Sequence, residues 1–186
     1  DISIDWFIGK RCNYDCSYCT EDLHDNISKH QNFQQLKKLI DNLSKKLENK
    51  AIHLSITGGE PTVHPNFIDI CHYIKKKKNI KYLTVTTNGS RLADYYIELL
   101  YLANQITFSQ HFETAQNSVY LEKVKEINEF SPGVVNVQVM FNAKNFEEAK
   151  EAVEFYRANE IRYTLRKIRH KMLPIREYDT SSYDYT

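Results

Sequence analysis

Short apolar runs alternate with helical patterns along the whole chain. Runs typical of β-strands cover residues 2–9, 52–57, 82–87, 105–109, 134–142 and 161–168. Helical periodicity covers the intervening segments 33–47, 65–77, 92–103, 115–130 and 145–158. In the first of these segments, apolar residues recur at helical spacing opposite a charged face. This strict alternation predicts an α/β fold in which parallel strands are joined by right-handed crossovers.

The parity of the predicted strands separates an apolar face from a polar face. Side chains such as Ile52, Leu54, Ile56 and Leu165 form the apolar face and are expected to meet the helices. The polar face carries Thr84, Thr86, Asn88, Thr107, Ser109, His111, Gln138, Asn142, Arg162, Thr164 and Arg166. A closed eight-stranded barrel packs branched apolar side chains inside, so this polar face favours a partial barrel, open on one side. The alternative is a flat two-layer α/β sheet with one solvent-exposed face, and strand parity alone does not exclude it.

Length and charge restrict the class of protein. A chain of 186 residues fits one domain, and βα units of roughly 30 residues allow six of them. The net charge of +1 disfavours wholesale binding to nucleic acid or to an anionic membrane surface. Without a span-length apolar run or a leader, we expect a soluble, cytoplasmic protein.

The expected domain division is a barrel over residues 1–170 followed by a C-terminal tail, 171–186. The chain opens on Asp1 rather than Met and ends in a polar, tyrosine-rich stretch. The sequence therefore leaves undecided whether the chain is truncated at either end, including the tail.

Three of the four cysteines crowd into the loop after the first predicted strand. Cys12, Cys16 and Cys19 form a CxxxCxxC arrangement, which in a cytosolic chain favours a metal site over disulfides. Three thiolates can each bind one iron of a cubane cluster and leave the fourth iron open to a small molecule. Zinc is the competing interpretation, with His24 and His30 as further candidate ligands, although a structural zinc site takes four protein ligands. Cys71 falls in the apolar stripe of the second helix and is expected in the core.

A second motif follows the second predicted strand, where the chain reads Thr57-Gly58-Gly59-Glu60-Pro61-Thr62. It lies at the same edge of the parallel sheet as the cysteine loop, the edge at which such folds bind ligands. The two glycines allow a ligand to approach the backbone. Glu60 offers a carboxylate to a cationic group. The segment alone fits an ordinary βα turn, but together with the cysteine loop it indicates a ligand site.

Taken together, these motifs resemble the radical S-adenosylmethionine (AdoMet) superfamily. The resemblance rests on CNYDCSYC after the first strand, TGGEP after the second and TTNG after the third, and it covers nearly the whole chain. It implies a partial (β/α)6 barrel, also described as a partial TIM barrel, and an iron–sulfur enzyme. The implied cofactors are a [4Fe–4S] cluster and AdoMet. The implied reaction is reductive cleavage of AdoMet to a 5′-deoxyadenosyl radical, which abstracts hydrogen from a substrate.

The resemblance also implies roles for individual residues. Cys12, Cys16 and Cys19 are the implied cluster ligands. The implied AdoMet contacts are Tyr18, Gly58, Gly59, Glu60, Asn88, Ser109, Asn142 and Arg166. The family's usual Ser-x-Asp pattern is absent, because the chain reads Ser109-Gln110-His111, and this departure leaves the ribose contact open. His111 shares the inward parity of Ser109 and is the candidate catalytic residue at the barrel mouth.

The substrate is not named by the sequence. No second cysteine-rich segment follows the predicted barrel, so the auxiliary-cluster domains of many peptide-modifying members are not visible. A small-molecule or nucleotide substrate is therefore the leading expectation, and peptide modification is the alternative within the superfamily. A zinc- or cluster-binding module without catalysis is a third interpretation. The resemblance implies a flavodoxin- or ferredoxin-type electron donor as partner.

Overall fold

The computed structural model describes residues 1–20 and 22–168. Its strands are β1 (Ile2–Phe7), β2 (Ile52–Thr57), β3 (Ile80–Thr87), β4 (Gln105–Gln110), β5 (Val135–Phe141) and β6 (Arg162–Lys167). Its α-helices are α1 (Phe33–Lys46), α2 (Phe67–Lys75), α3 (Ala93–Leu100), α4 (Asn117–Phe130) and α5 (Phe146–Ala158). Two short 3₁₀ helices cover Pro61–Val63 and Ala143–Asn145. The predicted order of elements is confirmed, with boundaries that differ by a few residues.

The six strands form one parallel sheet in the order β1-β2-β3-β4-β5-β6. Each strand pairs with the next in sequence, and in the described part of the chain β1 and β6 form the two edges. One cavity of about 340 Å³ is lined by the loop after β1 and by residues at the C-terminal ends of β2, β3, β4 and β5. Five neighbouring strands of a flat sheet span almost 20 Å at their usual spacing, so a cavity of this size requires the sheet to curl. The partial barrel is confirmed, and the flat sheet is not.

The apolar face of the sheet forms the core with the helices. Ile52, Leu54 and Ile56 of β2 are fully buried, as the strand parity predicts. The prediction is wrong for Leu165, whose side chain is 53% exposed. Because β6 is an edge strand, packing covers it less completely than it covers the central strands.

Helix ends and faces follow ordinary local chemistry. Asn32 caps α1 by accepting a hydrogen bond from the Gln34 amide at 2.9 Å, and Leu36 and Ile40 bury the apolar stripe of this helix. Cys71 lies on the buried face of α2 and is fully buried, which confirms its prediction as a core residue. Burial raises the pKa of its thiol far above the ordinary value, so Cys71 acts as a small apolar side chain.

Within the described residues, no helix has the length and apolarity that crossing a membrane requires. The predicted tail, residues 171–186, lies outside the described part of the chain.

Candidate functional site

The three clustered cysteines line the cavity at the C-terminal edge of the sheet. Cys12 and Cys16 are buried, Cys19 is partly exposed, and none of them forms a disulfide. Backbone bonds shape the loop that carries them: the Cys12 amide donates to the Asp25 carbonyl at 2.7 Å, and the Cys19 amide donates to the Cys16 carbonyl at 3.0 Å. The Tyr14 amide donates to Cys12 Sγ at 3.4 Å. The loop therefore places all three cysteines along the wall of one cavity.

Burial raises the pKa of each of these thiols, and for Cys16 the value reaches about 11. Thiolates buried in this way need a cationic partner, and iron supplies one as it displaces the protons. Three sulfurs on one cavity fit a cubane cluster, which binds each thiolate through a different iron. Among the described residues, no group of three or more His, Cys, Asp or Glu side chains is placed to bind a single metal ion.

Only one of the two candidate zinc ligands shares the cavity with the three cysteines. His24 lines the cavity, and its Nε2 lies 3.4 Å from Asp15 Oδ1. His30 instead packs edge-to-face against His64, with ring centroids 5.0 Å apart.

Gly58 and Gly59 pack the loop after β2 against the loop after β1. The Gly59 amide donates to the Gly9 carbonyl at 2.8 Å, and the Glu60 amide donates to the Arg11 carbonyl at 2.8 Å. A Cβ on Gly59 would lie 2.1 Å from the Lys10 carbonyl oxygen, and one on Gly58 would lie 2.6 Å from that of Gly9. Both glycines line the cavity as predicted. They also allow a backbone contact that the sequence did not predict.

Glu60 is a buried carboxylate on the wall of the cavity, with 3% of its surface exposed. Its Oε1 accepts hydrogen bonds from the Thr62 amide, the Thr62 hydroxyl and the Thr87 hydroxyl at 3.0, 2.6 and 2.7 Å. Its Oε2 accepts one, from the Asn88 amide at 2.5 Å. Burial raises the pKa of Glu60, while these donors oppose that rise. In the described part of the chain no cationic side chain pairs with it.

Asn88 connects Glu60 to the cysteine loop. Its side-chain Nδ2 donates to Asn13 Oδ1 at 3.0 Å and approaches Cys12 Sγ at 3.8 Å. Its Oδ1 accepts from the Ser90 amide at 3.0 Å. The side chain of Asn88 is thus engaged by the protein, although the residue lines the cavity.

Tyr18, Ser109 and His111 line the same cavity. The Tyr18 hydroxyl lies 2.5 Å from His111 Nδ1, and the two rings stack with centroids 5.8 Å apart. Burial lowers the pKa of His111 to about 4, so the imidazole is neutral near pH 7. Ser109, at the end of β4, is buried.

Two predicted contact residues do not line this cavity. The side chain of Asn142 accepts hydrogen bonds from the amides of Lys144 and Asn145 and caps the second 3₁₀ helix. Arg166 is exposed on β6, next to Met140 in the sheet register.

Several cavity residues were not named as contacts from the sequence, namely Tyr14, Thr20, Leu23, Thr57, Thr86, Thr87 and Met140. Strand parity had already placed Thr86 on the polar face, and Met140 shares the parity of Gln138, so the same signal could have found Met140. Sequence reasoning also missed Glu113, which bonds to Ser17 in the cysteine loop. No sequence signal joins two residues so far apart along the chain.

Comparison with known proteins gives the same picture. The family model described as "Radical SAM superfamily" matches residues 6–175. The GTP 3′,8-cyclase of Haemophilus influenzae (strain 86-028NP) is 36% identical over 86 residues, which cover 46% of this chain and 26% of the cyclase. The tungsten-containing aldehyde ferredoxin oxidoreductase cofactor-modifying protein of Pyrococcus furiosus is 26% identical over 171 residues, covering 80% of this chain and 46% of that protein.

Among solved structures, the chain resembles Streptococcus suis SuiB. SuiB bound to S-adenosylmethionine aligns with a TM-score of 0.68 at 20% identity, covering 91% of this chain and 41% of SuiB. SuiB bound to the precursor peptide SuiA aligns with a TM-score of 0.67 at 20% identity, covering 90% and 39%. At this identity the likeness supports the fold alone. This chain spans less than half the length of each of these proteins.

Proposed function

Because this chain belongs to the Radical SAM superfamily, we propose that it is an enzyme that cleaves AdoMet reductively at a cluster held by Cys12, Cys16 and Cys19. The superfamily uses a [4Fe–4S] cluster together with AdoMet, so family membership confirms both predicted cofactors. One observation carries the proposal: three buried or half-buried thiols and the buried carboxylate of Glu60 line one cavity.

When bound, the two cofactors would supply a 5′-deoxyadenosyl radical for the removal of a hydrogen atom from the substrate. The protein supplies the surroundings in which this chemistry would take place. Cys12, Cys16 and Cys19 would each bind one iron of the cluster, which would leave one iron without a protein ligand. Burial of Cys12 and Cys16 limits the access of water and oxygen to these sulfurs.

Glu60 is the proposed partner of the AdoMet amino group. A buried carboxylate without a cationic partner is costly, and an ammonium group placed beside it relieves that cost. Three protein donors occupy Oε1, whereas Oε2 accepts only one, so Oε2 is the oxygen with room for a further donor. Gly58, Gly59, Tyr18, Asn88 and Ser109, all on the cavity wall, are the other proposed contacts. Asn142 and Arg166 stay proposals from the family resemblance alone.

The cluster assignment is tested by anaerobic reconstitution. The wild-type protein is expected to bind about four irons and to show a [4Fe–4S] signal on reduction that changes when AdoMet is added. Replacing Cys12, Cys16 or Cys19 by Ala removes one iron ligand and is expected to abolish the signal. Cys71→Ala is the matched control and is expected to keep it, because Cys71 lies in the core. Loss of the signal in the Cys71 variant, or its survival without Cys16, would contradict the assignment.

The proposed activity is tested by chromatography of the products. With dithionite and AdoMet, the loaded protein is expected to form 5′-deoxyadenosine, and the Cys16→Ala variant is expected to form none. If wild-type protein with a complete cluster forms no 5′-deoxyadenosine, the proposed activity is wrong and a cluster-binding module without catalysis is the remaining interpretation.

A small molecule or nucleotide is the substrate that we propose first. The 36% identity over 86 residues to the GTP 3′,8-cyclase of Haemophilus influenzae supports a nucleotide, since GTP is named in that relative's activity. A peptide is the second candidate, because SuiB has been solved with its precursor peptide bound. Faster 5′-deoxyadenosine formation with nucleoside triphosphates would favour the first class. Faster formation with short peptides encoded beside the gene would favour the second.

A further inference from the structure

The loop between β4 and α4 is bonded to the cysteine loop at two consecutive residues. Ser17 lies between Cys16 and Cys19, and both of its polar groups donate to the carboxylate of Glu113. The Ser17 amide lies 2.8 Å from Oε2, and the Ser17 hydroxyl lies 2.6 Å from Oε1. One carboxylate thus binds the backbone and the side chain of the same residue. Paired bonds to a charged acceptor fix orientation as well as distance.

The next residue forms the second contact. The Tyr18 hydroxyl meets His111 Nδ1 at 2.5 Å, and the two rings are nearly parallel, with an interplanar angle of 15°. Tyr14 packs edge-on against the same imidazole, with ring centroids 6.3 Å apart. His111 therefore contacts the cysteine loop on both sides of Cys16.

The loop that supplies these two partners is itself constrained. The amides of Thr114 and Ala115 both donate to the carbonyl of His111, at 3.2 and 3.0 Å. This tight turn brings the side chains of His111 and Glu113 against the same segment of the cysteine loop, Ser17 and Tyr18. The described residues of the cysteine loop, 8–20 and 22–32, form no helix or strand, apart from an isolated bridge between Arg11 and Asp25. Ordering such a segment costs roughly 1–2 kcal/mol per residue in backbone entropy, so bonds from outside the loop matter for its shape.

We propose that Glu113 and His111 are positioning residues that hold the segment from Cys16 to Cys19 in the shape that receives the cluster before any iron binds. The inference rests on the proposed cluster site, and it adds that the loop after β4 organises this site. Glu113 acts through Ser17, and His111 acts through Tyr18. Neither residue is an iron ligand in this proposal. His111, the candidate catalytic residue from the sequence, receives a positioning role instead.

Hydrogen exchange of the metal-free protein tests the shape directly, without any cluster. Glu113→Gln removes the charge and one of the two acceptor oxygens. We expect amides in residues 12–20 to exchange about three- to tenfold faster, while amides of β2 to β5 keep their rates. Ser17→Ala removes the hydroxyl that donates to Glu113 and should also speed amide exchange in residues 12–20. Glu126→Gln is the matched control, because Glu126 is an exposed carboxylate on α4, and it should change nothing in residues 12–20.

His111→Phe tests the second contact separately, since it keeps a ring for stacking and removes the nitrogen that bonds to Tyr18. It should also speed exchange in residues 12–20. Unchanged exchange in both Glu113→Gln and His111→Phe would overturn the proposal. Faster exchange throughout the sheet would overturn it as well, because it would mean general destabilisation rather than local positioning.

The loaded protein gives a second readout that is independent of turnover. Glu113→Gln should load iron and sulfide more slowly than the wild type. Removing an anion near the cluster should also move its midpoint potential to a more positive value, since the reduced cluster is the more negative state. Equal loading rates and equal potentials would contradict the proposal. A wild-type protein that binds no cluster would instead contradict the proposed function, and the exchange result would still decide the positioning role.

Discussion

The carboxylate of Glu60 serves two purposes with two oxygens. Its Oε1 is occupied by Thr62 and Thr87, which ties the turn after β2 to the end of β3. Its Oε2 accepts a hydrogen bond from the Asn88 amide alone and is the oxygen proposed to bind the AdoMet amino group. The family resemblance suggested the second purpose, but no pattern in the sequence indicated the first. A single residue here supports the loops and is also the proposed contact to AdoMet.

Glu60→Gln separates these purposes. In the wild type both side-chain oxygens of Glu60 accept hydrogen bonds from protein donors. Gln replaces one of these oxygens with an NH2 group, which cannot accept, and a buried unsatisfied donor costs about 1–3 kcal/mol. We expect the unfolding free energy of the metal-free protein to fall by that amount in denaturant titrations. AdoMet affinity of the loaded protein is expected to fall about tenfold to a hundredfold, because a charge-assisted bond is lost.

Thr87→Val is the matched control for this prediction. It removes one donor to Oε1 and keeps the charge of Glu60, and it also removes the acceptor of the Gly89 amide. Stability should fall by about 1–3 kcal/mol, with little change in AdoMet affinity. Equal AdoMet affinity in the wild type and Glu60→Gln would place the ligand elsewhere, and loss of the cluster in this variant would make Glu60 a structural residue.

His111 links stability to pH. Burial lowers its pKa to about 4, against the weaker opposing effect of the nearby Glu113 carboxylate, while its ordinary value is 6.5. Between these values the unfolded chain binds a proton that the folded chain does not. Stability is therefore complete above about pH 7 and is lost as pH falls towards 4, with a slope of up to about 1.4 kcal/mol per pH unit from this residue.

Denaturant titrations of the metal-free protein from pH 8 to pH 5 test this prediction. His111→Phe keeps an aromatic ring and cannot titrate, so its stability should fall less steeply with acid than that of the wild type. Parallel slopes for the two proteins would show that His111 is not held neutral by the fold.

At the scale of elements, the sequence predicted the strands and helices well because their signals are local. The segment 52–57 was predicted with the boundaries that β2 has in the structure, since three buried apolar residues alternate there with polar ones. Leu165 lies on the predicted face, beside the buried Val139, but it is exposed, because parity shows which face a side chain occupies and not whether anything covers that face. The bond from Ser17 to Glu113 had no local signal, since only the folded chain brings these residues together. Contacts between loops are therefore the part of the site that could not be predicted from a single sequence.

The contact between the loops after β1 and β2 leads to a prediction about two glycines. Gly59→Ala places a methyl group against the Lys10 and Arg11 carbonyl oxygens, at 2.1 and 2.6 Å, so the backbone has to move. We expect a loss of about 1–3 kcal/mol in unfolding free energy, together with lower iron loading of the neighbouring cysteine loop.

Gly9→Ala is the matched control, because a Cβ at Gly9 meets nothing within 4 Å. It tests the same substitution one loop away and should keep both stability and iron loading near the wild-type values. If the two variants behave alike, close packing of these loops is not what requires glycine at position 59.

At the scale of the molecule, the sheet is open, and its two edges differ. Among the described residues, β1 pairs only with β2, but its end is also held by bonds from the Ile8 amide to Thr57 and from the Gly59 amide to Gly9. Within the same part of the chain β6 pairs only with β5, and five of its six residues are exposed. The cysteine loop follows the better-held edge. The proposed cluster site therefore lies beside the edge strand that has these additional bonds, rather than beside β6.

This asymmetry predicts an order of hydrogen exchange in the 186-residue chain. Amides bonded within β2 to β5 should exchange only on global unfolding, because their apolar faces are buried. Amides of β6 should exchange by local opening, at least about tenfold faster, which corresponds to 1.4 kcal/mol. β1 should fall between them, since its end is tied to the loop after β2. Exchange measured residue by residue with NMR separates these cases, and a β6 as protected as β4 would mean that this edge is covered in solution, as a further segment or a second copy of the chain would cover it.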